Sequence, residues 1–262
     1  MEELKKKIVC ITGASSGIGR AVAHAFAARG CDLLLMARRK DRVLELAAEL
    51  AAESHERTMA LELDVRDQAA VAKTFASLPS SWSGIDILVN NAGLSRGLER
   101  LYDGKIQDWE EMIDTNVKGL LYVTRAVLPG MVERNRGHVI NIGSIAGHQT
   151  YPMGNVYCAS KFAVTGLTRG LKMDLLGTAV RVTSVDPGLV ETEFSNVRFR
   201  GDTVRAAKTY AGMTPLKPED VAEIVAFCAT RPAHVNIGEV IVTPTDQASV
   251  SMVFRKPEEK AK

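Results

Sequence analysis

The chain has 262 residues, 46% hydrophobic and 24% charged, with 33 Lys and Arg against 31 Asp and Glu for a formal charge of +2. That balance gives no case for a nucleic-acid or membrane-surface binder, and no run approaches the roughly 20 apolar residues that span a bilayer. The length suits one α/β domain, large enough to bury its core without staples.

The predicted elements alternate. Lys7 to Thr12 is a first strand, followed by a Gly-rich turn and a helix through Ala28. Asp32 to Ala37 is a second strand, leading to a helix from Asp41 to Glu53. Met59 to Val65 is a third strand and Gln68 to Leu78 a helix. Ile85 to Asn90 is a fourth strand. Ile106 to Glu133 is one long helical stretch, which Pro129 is expected to bend or end. His138 to Gly143 is a fifth strand, Asn155 to Leu176 a helix, and Val180 to Val185 a sixth strand. Pro187 to about Leu216 is irregular and reads as a substrate lid, since long loops in compact domains are often functional, with a structural loop as the alternative. A helix from Glu219 to Thr230 and a strand from Glu239 to Thr243 complete the pattern.

Strands alternating with helices argue for βαβ units and a doubly wound parallel sheet, an α/β fold of Rossmann type. Residues 1–253 read as one domain and 254–262 as a solvated tail. The N-terminal Met1 to Lys7 has acids where a secretory leader needs a basic start. The cysteines Cys10, Cys31, Cys158 and Cys228 are widely spaced and fit no metal site, so a reduced, cytoplasmic setting is expected.

The first strand enters Thr12-Gly13-Ala14-Ser15-Ser16-Gly17-Ile18-Gly19. In this context Gly13 permits a tight turn, Gly17 lets backbone approach a pyrophosphate, and Gly19 lets helix pack on strand. Ser15, Ser16 and Ile18 line the same turn, whose helix N-terminus attracts phosphate. Twenty residues on, an acid would hold the ribose hydroxyls of NAD. The second strand ends instead in Arg38-Arg39-Lys40. A guanidinium there favours a 2′-phosphate, so the expected cofactor is NADP(H), with Arg38 the first choice and Arg39 either assisting or flanking the next helix. Asp64, with Val65, ends the third strand, where it meets an adenine or caps the next helix. Asn91, Ala92 and Gly93 follow the fourth strand with small residues that let a dinucleotide approach.

Tyr157 and Lys161 share a helix face at i and i+4, so the ammonium is expected to lower the tyrosine pKa. Ser144, thirteen residues upstream at a strand end, is placed to meet a substrate oxygen. Cys158 points about 100° away from Tyr157 and reads as packing.

Together these motifs resemble the short-chain dehydrogenase/reductase family over residues 7 to 250. The resemblance implies seven parallel strands in the order 3-2-1-4-5-6-7 and a catalytic set of Asn116, Ser144, Tyr157 and Lys161. By the same resemblance Tyr157 exchanges the alcohol proton, and Lys161 also binds the nicotinamide ribose. Asn116 holds a water relay, and Pro187, Gly188, Val190 and Thr192 line the nicotinamide. The stretches Ile113-Asp114-Thr115-Asn116, Thr124 to Asn135, Glu193 to Phe199 and Pro232 to Ile237 are similar to a branch of NADP-dependent 3-hydroxy acid dehydrogenases acting on serine and allo-threonine. That implies a small 3-hydroxy acid substrate and a homotetramer, with the helices Ile106–Glu133 and Asn155–Leu176 at a subunit seam. Arg198, Arg200 and Arg96 are candidates for the substrate carboxylate, Arg198 first, and His148 lies near the expected pocket. A broad NADPH-dependent carbonyl or 3-ketoacyl reductase is the alternative enzyme, and a silent NADP(H) sensor a non-enzymatic one. No metal, nucleic acid or membrane is expected as a partner.

Overall fold

The computed structural model describes residues 3–53 and 57–256. Seven parallel strands form one sheet in the order β3-β2-β1-β4-β5-β6-β7. They are β1 (Ile8–Thr12), β2 (Asp32–Ala37), β3 (Thr58–Glu62), β4 (Ile87–Asn90), β5 (Gly137–Ile142), β6 (Val180–Pro187) and β7 (Glu239–Val242). The order reverses between β1 and β4, opening the crevice at the strand carboxyl ends where such sheets bind ligands.

The helices are α1 (Gly17–Ala27), α2 (Lys40–Glu53), α3 (Gln68–Ala76), α4 (Ser80–Ser83), α5 (Ile106–Ile113), α6 (Leu120–Glu133), α7 (Asn155–Asp174), α8 (Phe194–Arg198), α9 (Thr203–Lys208) and α10 (Pro218–Ala229). β1, β2 and β4 are buried throughout because helices cover both faces. Side chains alternate between those faces. Val9, Ile11, Leu33 and Leu35 pack with Phe26 of α1, Leu46 of α2 and Val225 of α10. Cys10, Leu34, Met36 and Leu88 pack with Val71 of α3 and with Val123, Val127 and Met131 of α6. Full burial of a Leu- or Phe-sized side chain contributes about 1.5–3 kcal/mol, so these two layers hold the sheet and fix its upper edge.

Beneath the site, a buried polar network joins sheet to helices. Asn90 Nδ2 donates to Thr124 Oγ1 of α6 and to Asn141 Oδ1 of β5, both at 2.9 Å. Asn141 Nδ2 donates to Thr168 Oγ1 of α7 at 2.8 Å. Buried networks of this kind fix relative position, although here Asn90 Oδ1 is left without a partner among the described residues. This one positions α7, which carries Tyr157 and Lys161.

Three expectations change in detail. The long helix 106–133 contains a π-helical turn, Asp114–Gly119, between α5 and α6. Pro129 lies inside α6 without ending it, and the helix runs on to Glu133. The segment 187–216 is not one irregular loop, since it holds α8 and α9; Asp202 caps α9 by accepting from Arg205 N. At the chain end, Phe254 to Lys256 are exposed, yet Phe254 N donates to Asp246 O and Lys256 N to Gly212 O, each at 2.7 Å. Met1, Glu2 and the tail beyond Lys256 lie outside the described residues.

Candidate active site

The Gly-rich turn has the backbone its sequence demands. Gly13 and Gly17 have φ of +66° and +53°, a region costly for other residues. A Cβ on Gly13 would come within 2.9 Å of Ala92 Cα, and one on Gly17 within 3.2 Å of Thr192 Cβ. Gly19 packs against the Asn91 side chain and the Gly13 carbonyl. Asn91 braces the turn from the neighbouring strand, donating from Nδ2 to Thr12 O at 2.9 Å and Gly13 O at 3.1 Å. Ala92 N donates to Thr12 Oγ1.

From this turn a cavity of about 650 Å³ extends across the strand ends. Ser15, Ser16, Ile18, Arg38 and Arg39 border it on one side, and Asn91 and Gly93 border it along β4. Ser144, Tyr157 and Lys161 line it beyond β5. Pro187 at the end of β6 and Gly188, Val190 and Thr192 just after it close the cavity on the far side. Its volume falls within the range of roughly 300–1,000 Å³ usual for ligand pockets.

Asp64 and Val65 are not among its lining residues. Asp64 pairs with Arg66 at 2.6 Å. Burial opposes its ionisation, but the Arg66 hydrogen bonds and charge prevail and hold the carboxyl below its ordinary value. The cap before α3 is Asp67, which accepts from Ala70 N. Val65 is buried against Gly119.

At the reacting end, α7 begins at Asn155, so Tyr157 and Lys161 sit in its first turns, both buried. Ser144 Oγ accepts from Ala146 N at 3.1 Å and lines the same cavity as Tyr157. Lys161 Nζ donates to Ile142 O at 2.9 Å, at the end of β5. Burial lowers the Lys161 pKa from its ordinary value to about 8, partly offset by the Asp186 charge. The expected pull of Lys161 is not among the main influences on Tyr157. Burial pushes the tyrosine pKa up, while the Ser144 hydrogen bond and the Arg198 guanidinium act against that rise.

Asn116 lies in the π turn. Its Oδ1 accepts from Leu94 N at 2.8 Å, and its Nδ2 donates to Leu94 O at 2.8 Å and Ser160 Oγ at 3.0 Å. The side chain therefore pins the loop after β4 to α7. π turns inside helices often accompany functional sites.

Among the candidate cations, geometry separates three arginines. Arg96 pairs with Glu111 at 2.5 Å, and Arg200 pairs with Asp108. Arg198 lines the cavity and has no carboxylate partner among the described residues; it donates to Ser95 Oγ at 2.9 Å and Tyr151 Oη at 2.6 Å. Its guanidinium lies 5.3 Å from the Tyr157 ring centre and 5.4 Å from that of Phe194. A planar cation beside aromatic faces, with only hydroxyl partners, keeps its charge available.

His148 is a correction. It is turned out of the cavity lining, with Nε2 2.9 Å from Oδ2 of the buried Asp186, because that carboxylate competes successfully for the ring. Cys158 is buried and its thiol pKa is raised chiefly by burial, as suits a packing residue. Tyr151, Ser95 and Glu193 were not foreseen. Phe194 and Arg198 form an i, i+4 pair that a helix assignment for 194–198 would have exposed.

Residues 7–202 match the family described as short chain dehydrogenase. The NADP-dependent 3-hydroxy acid dehydrogenase YdfG of Salmonella typhi is 52% identical over 242 residues, covering 92% of this chain and 96% of that protein. The NADP-dependent 3-hydroxy acid dehydrogenase of Schizosaccharomyces pombe is 43% identical, covering 98% of this chain and 99% of that one. Among solved structures, the closed form of a serine dehydrogenase complexed with NADP+ is 49% identical with a TM-score of 0.90, over 95% of this chain and all of the other. With the fold, the turn and the Ser-Tyr-Lys arrangement in place, the chain belongs to the short chain dehydrogenase family.

Proposed function

We propose that this enzyme transfers hydride between NADP(H) and a short 3-hydroxy acid such as serine, allo-threonine or 3-hydroxypropionate. The observation that carries the substrate class is Arg198, a cation with no carboxylate partner among the described residues, beside Tyr157 in the cavity. The relatives named above support it.

The cofactor assignment rests on fit. Bare glycine backbone at Gly13 and Gly17, the hydroxyls of Ser15 and Ser16, and two guanidinium groups border one end of the cavity. These groups would hold the pyrophosphate and a 2′-phosphate, with Arg38 and Arg39 on the latter. Val190, Thr192, Pro187 and Gly188 would flank the nicotinamide, and Lys161 its ribose. Bound there, NADP(H) would supply the hydride acceptor for oxidation and the hydride donor for reduction.

The chain's own residues manage the proton and the orientation. Tyr157 takes the alcohol proton during oxidation and donates it to the carbonyl oxygen during reduction. Ser144 holds that oxygen by hydrogen bonding, so the reacting carbon is presented at near-attack distance. Ser144 and Arg198 favour the phenolate when it forms. Asn116 positions the loop after β4 against α7; because its side-chain amide is engaged, a proton relay through this residue would use its backbone. Arg198 takes the substrate carboxylate by charge-assisted bonds.

The reading extends to a cytoplasmic homotetramer. Four buried free thiols suit a reducing compartment. Leu121 of α6 and Phe162 of α7 are exposed apolar side chains on the helices expected at the seam. No described helix is long and apolar enough to cross a membrane. The test is initial-rate spectrophotometry at 340 nm with NADP+ and NAD+ over hydroxy acids and uncharged alcohols. NADP+ and 3-hydroxy acids should give the highest kcat/KM. Equal rates on uncharged alcohols of the same length would remove the substrate assignment.

A further inference from the structure

Arg39 lies across the Gly-rich turn. Its Nε and Nη2 approach Ser15 Oγ at 3.2 and 3.1 Å, and Nη2 donates to Ser16 Oγ at 2.6 Å. Two hydroxyls and a guanidinium form a set suited to a phosphate. The anion that meets this arginine belongs to the chain itself: Glu193 Oε2 lies 2.7 Å from Arg39 Nη1. Arg42 closes on the same carboxylate, its Nη1 at 2.7 Å from Oε1 and 2.9 Å from Oε2. Both arginines hold the Glu193 carboxyl below its ordinary value, the Arg39 hydrogen bond first.

The carboxylate does not serve its own helix. Glu193 stands at the N-cap of α8, yet its side chain makes no capping bond there. It also borders the cavity, as Arg39 does. All three partners are about half exposed, so each ion pair is individually weak and exchangeable. A phosphate monoester brings up to two charges and three acceptor oxygens, against one charge and two oxygens for a carboxylate.

We propose that Glu193 is an internal stand-in for the 2′-phosphate, displaced from Arg39 and Arg42 by a 2′-phosphorylated dinucleotide and retained when the dinucleotide lacks that group. This rests on the NADP reading above and adds to it a residue that sets how tightly the preferred cofactor is held. Because Glu193 directly precedes α8, its displacement frees the leading end of the helix that ends in Arg198. The nucleotide end of the cavity and its substrate end are thereby joined through five residues.

Calorimetric titration of the full chain and its Glu193→Gln variant with 2′,5′-ADP and with 5′-AMP separates the possibilities, since these ligands differ only in the 2′-phosphate. The variant should bind 2′,5′-ADP about threefold to tenfold more tightly, the range that losing one or two exposed ion-pair competitors allows, with 5′-AMP changed less than twofold. Unchanged or weaker binding of 2′,5′-ADP would overturn the proposal and make Glu193 a scaffold for Arg39. Equal tightening of both ligands would also overturn it, since displacement would then not be by the 2′-phosphate. If the unmodified chain binds 2′,5′-ADP no better than 5′-AMP, the NADP reading falls first and takes this proposal with it.

Discussion

The two ends of the cavity are made differently. The nucleotide end is mainly backbone: glycines of positive φ and a turn braced by Asn91, rooted in strands buried on both faces. The substrate end is mainly side chain: Arg198 amid Tyr151, Tyr157 and Phe194, on a five-residue helix within a segment of short pieces. Backbone recognition is shared by every dinucleotide, whereas side-chain recognition can be altered one residue at a time. The Gly-rich turn should thus fail through strain and loss of fold, and the side chains at either end through selectivity.

The largest effect falls where the two ends meet. Tyr157→Phe should lower kcat by about 10²- to 10⁴-fold, the usual contribution of a general acid–base group, with dinucleotide binding retained in a fluorescence titration. Next, Arg198→Ala should raise KM for hydroxy acids roughly 10- to 100-fold, as expected for losing a charge-assisted bond of about 1.5–3 kcal/mol. For uncharged alcohols KM should be unchanged, leaving only the kcat effect of losing a charge beside Tyr157; an equal rise in KM on both would mean that Arg198 shapes the site without reading the carboxylate. At the other end, Gly13→Ala should cost about 1–3 kcal/mol from φ alone, before the approach to Ala92, and a thermal melt should show it. Arg38→Ala should have the smallest effect, a several-fold rise in KM for NADP+ with NAD+ unaffected, reflecting one exposed charge–phosphate contact.

A pH experiment sharpens the contrast further. Lys161 has a folded-state pKa of about 8 against an ordinary 10.5, with burial the main cause. Between those values the unfolded chain binds more protons, so stability from this group rises with pH. Its penalty is complete below about pH 8 and is relieved as pH climbs toward 10.5. In urea unfolding, the stability of the parent chain relative to Lys161→Met should therefore improve across that window. A flat difference would show that Lys161 is better solvated than its burial implies.

Much of this was readable from the chain alone, and the readable part was local. Ile8-Val9-Cys10-Ile11 followed by the glycine turn declares a strand, a turn and the start of a helix between Ile8 and Gly19. Tyr157 and Lys161 declare themselves by helical spacing. What escaped was contact across long separations. Arg39 meets Ser15 and Ser16 from 24 and 23 residues away and Glu193 from 154, and no periodicity reports that. His148 lies near the site in sequence but is claimed by Asp186, 38 residues later. α8 and α9, of five and six residues, are too short for a hydrophobic pattern to emerge. The π turn at Asp114–Gly119 is hidden because its sequence continues a helical pattern on both sides.

The Asn91 brace has a mechanical consequence. By holding Thr12 O and Gly13 O it fastens the end of β4 to the first turn, so the floor of the crevice on either side of the strand reversal behaves as one rigid piece. A fixed floor would leave the 187–216 segment, part of which lines the cavity, as the doorway. Dinucleotide escape rates measured by stopped-flow should accordingly track substitutions in that segment and ignore conservative ones along β4.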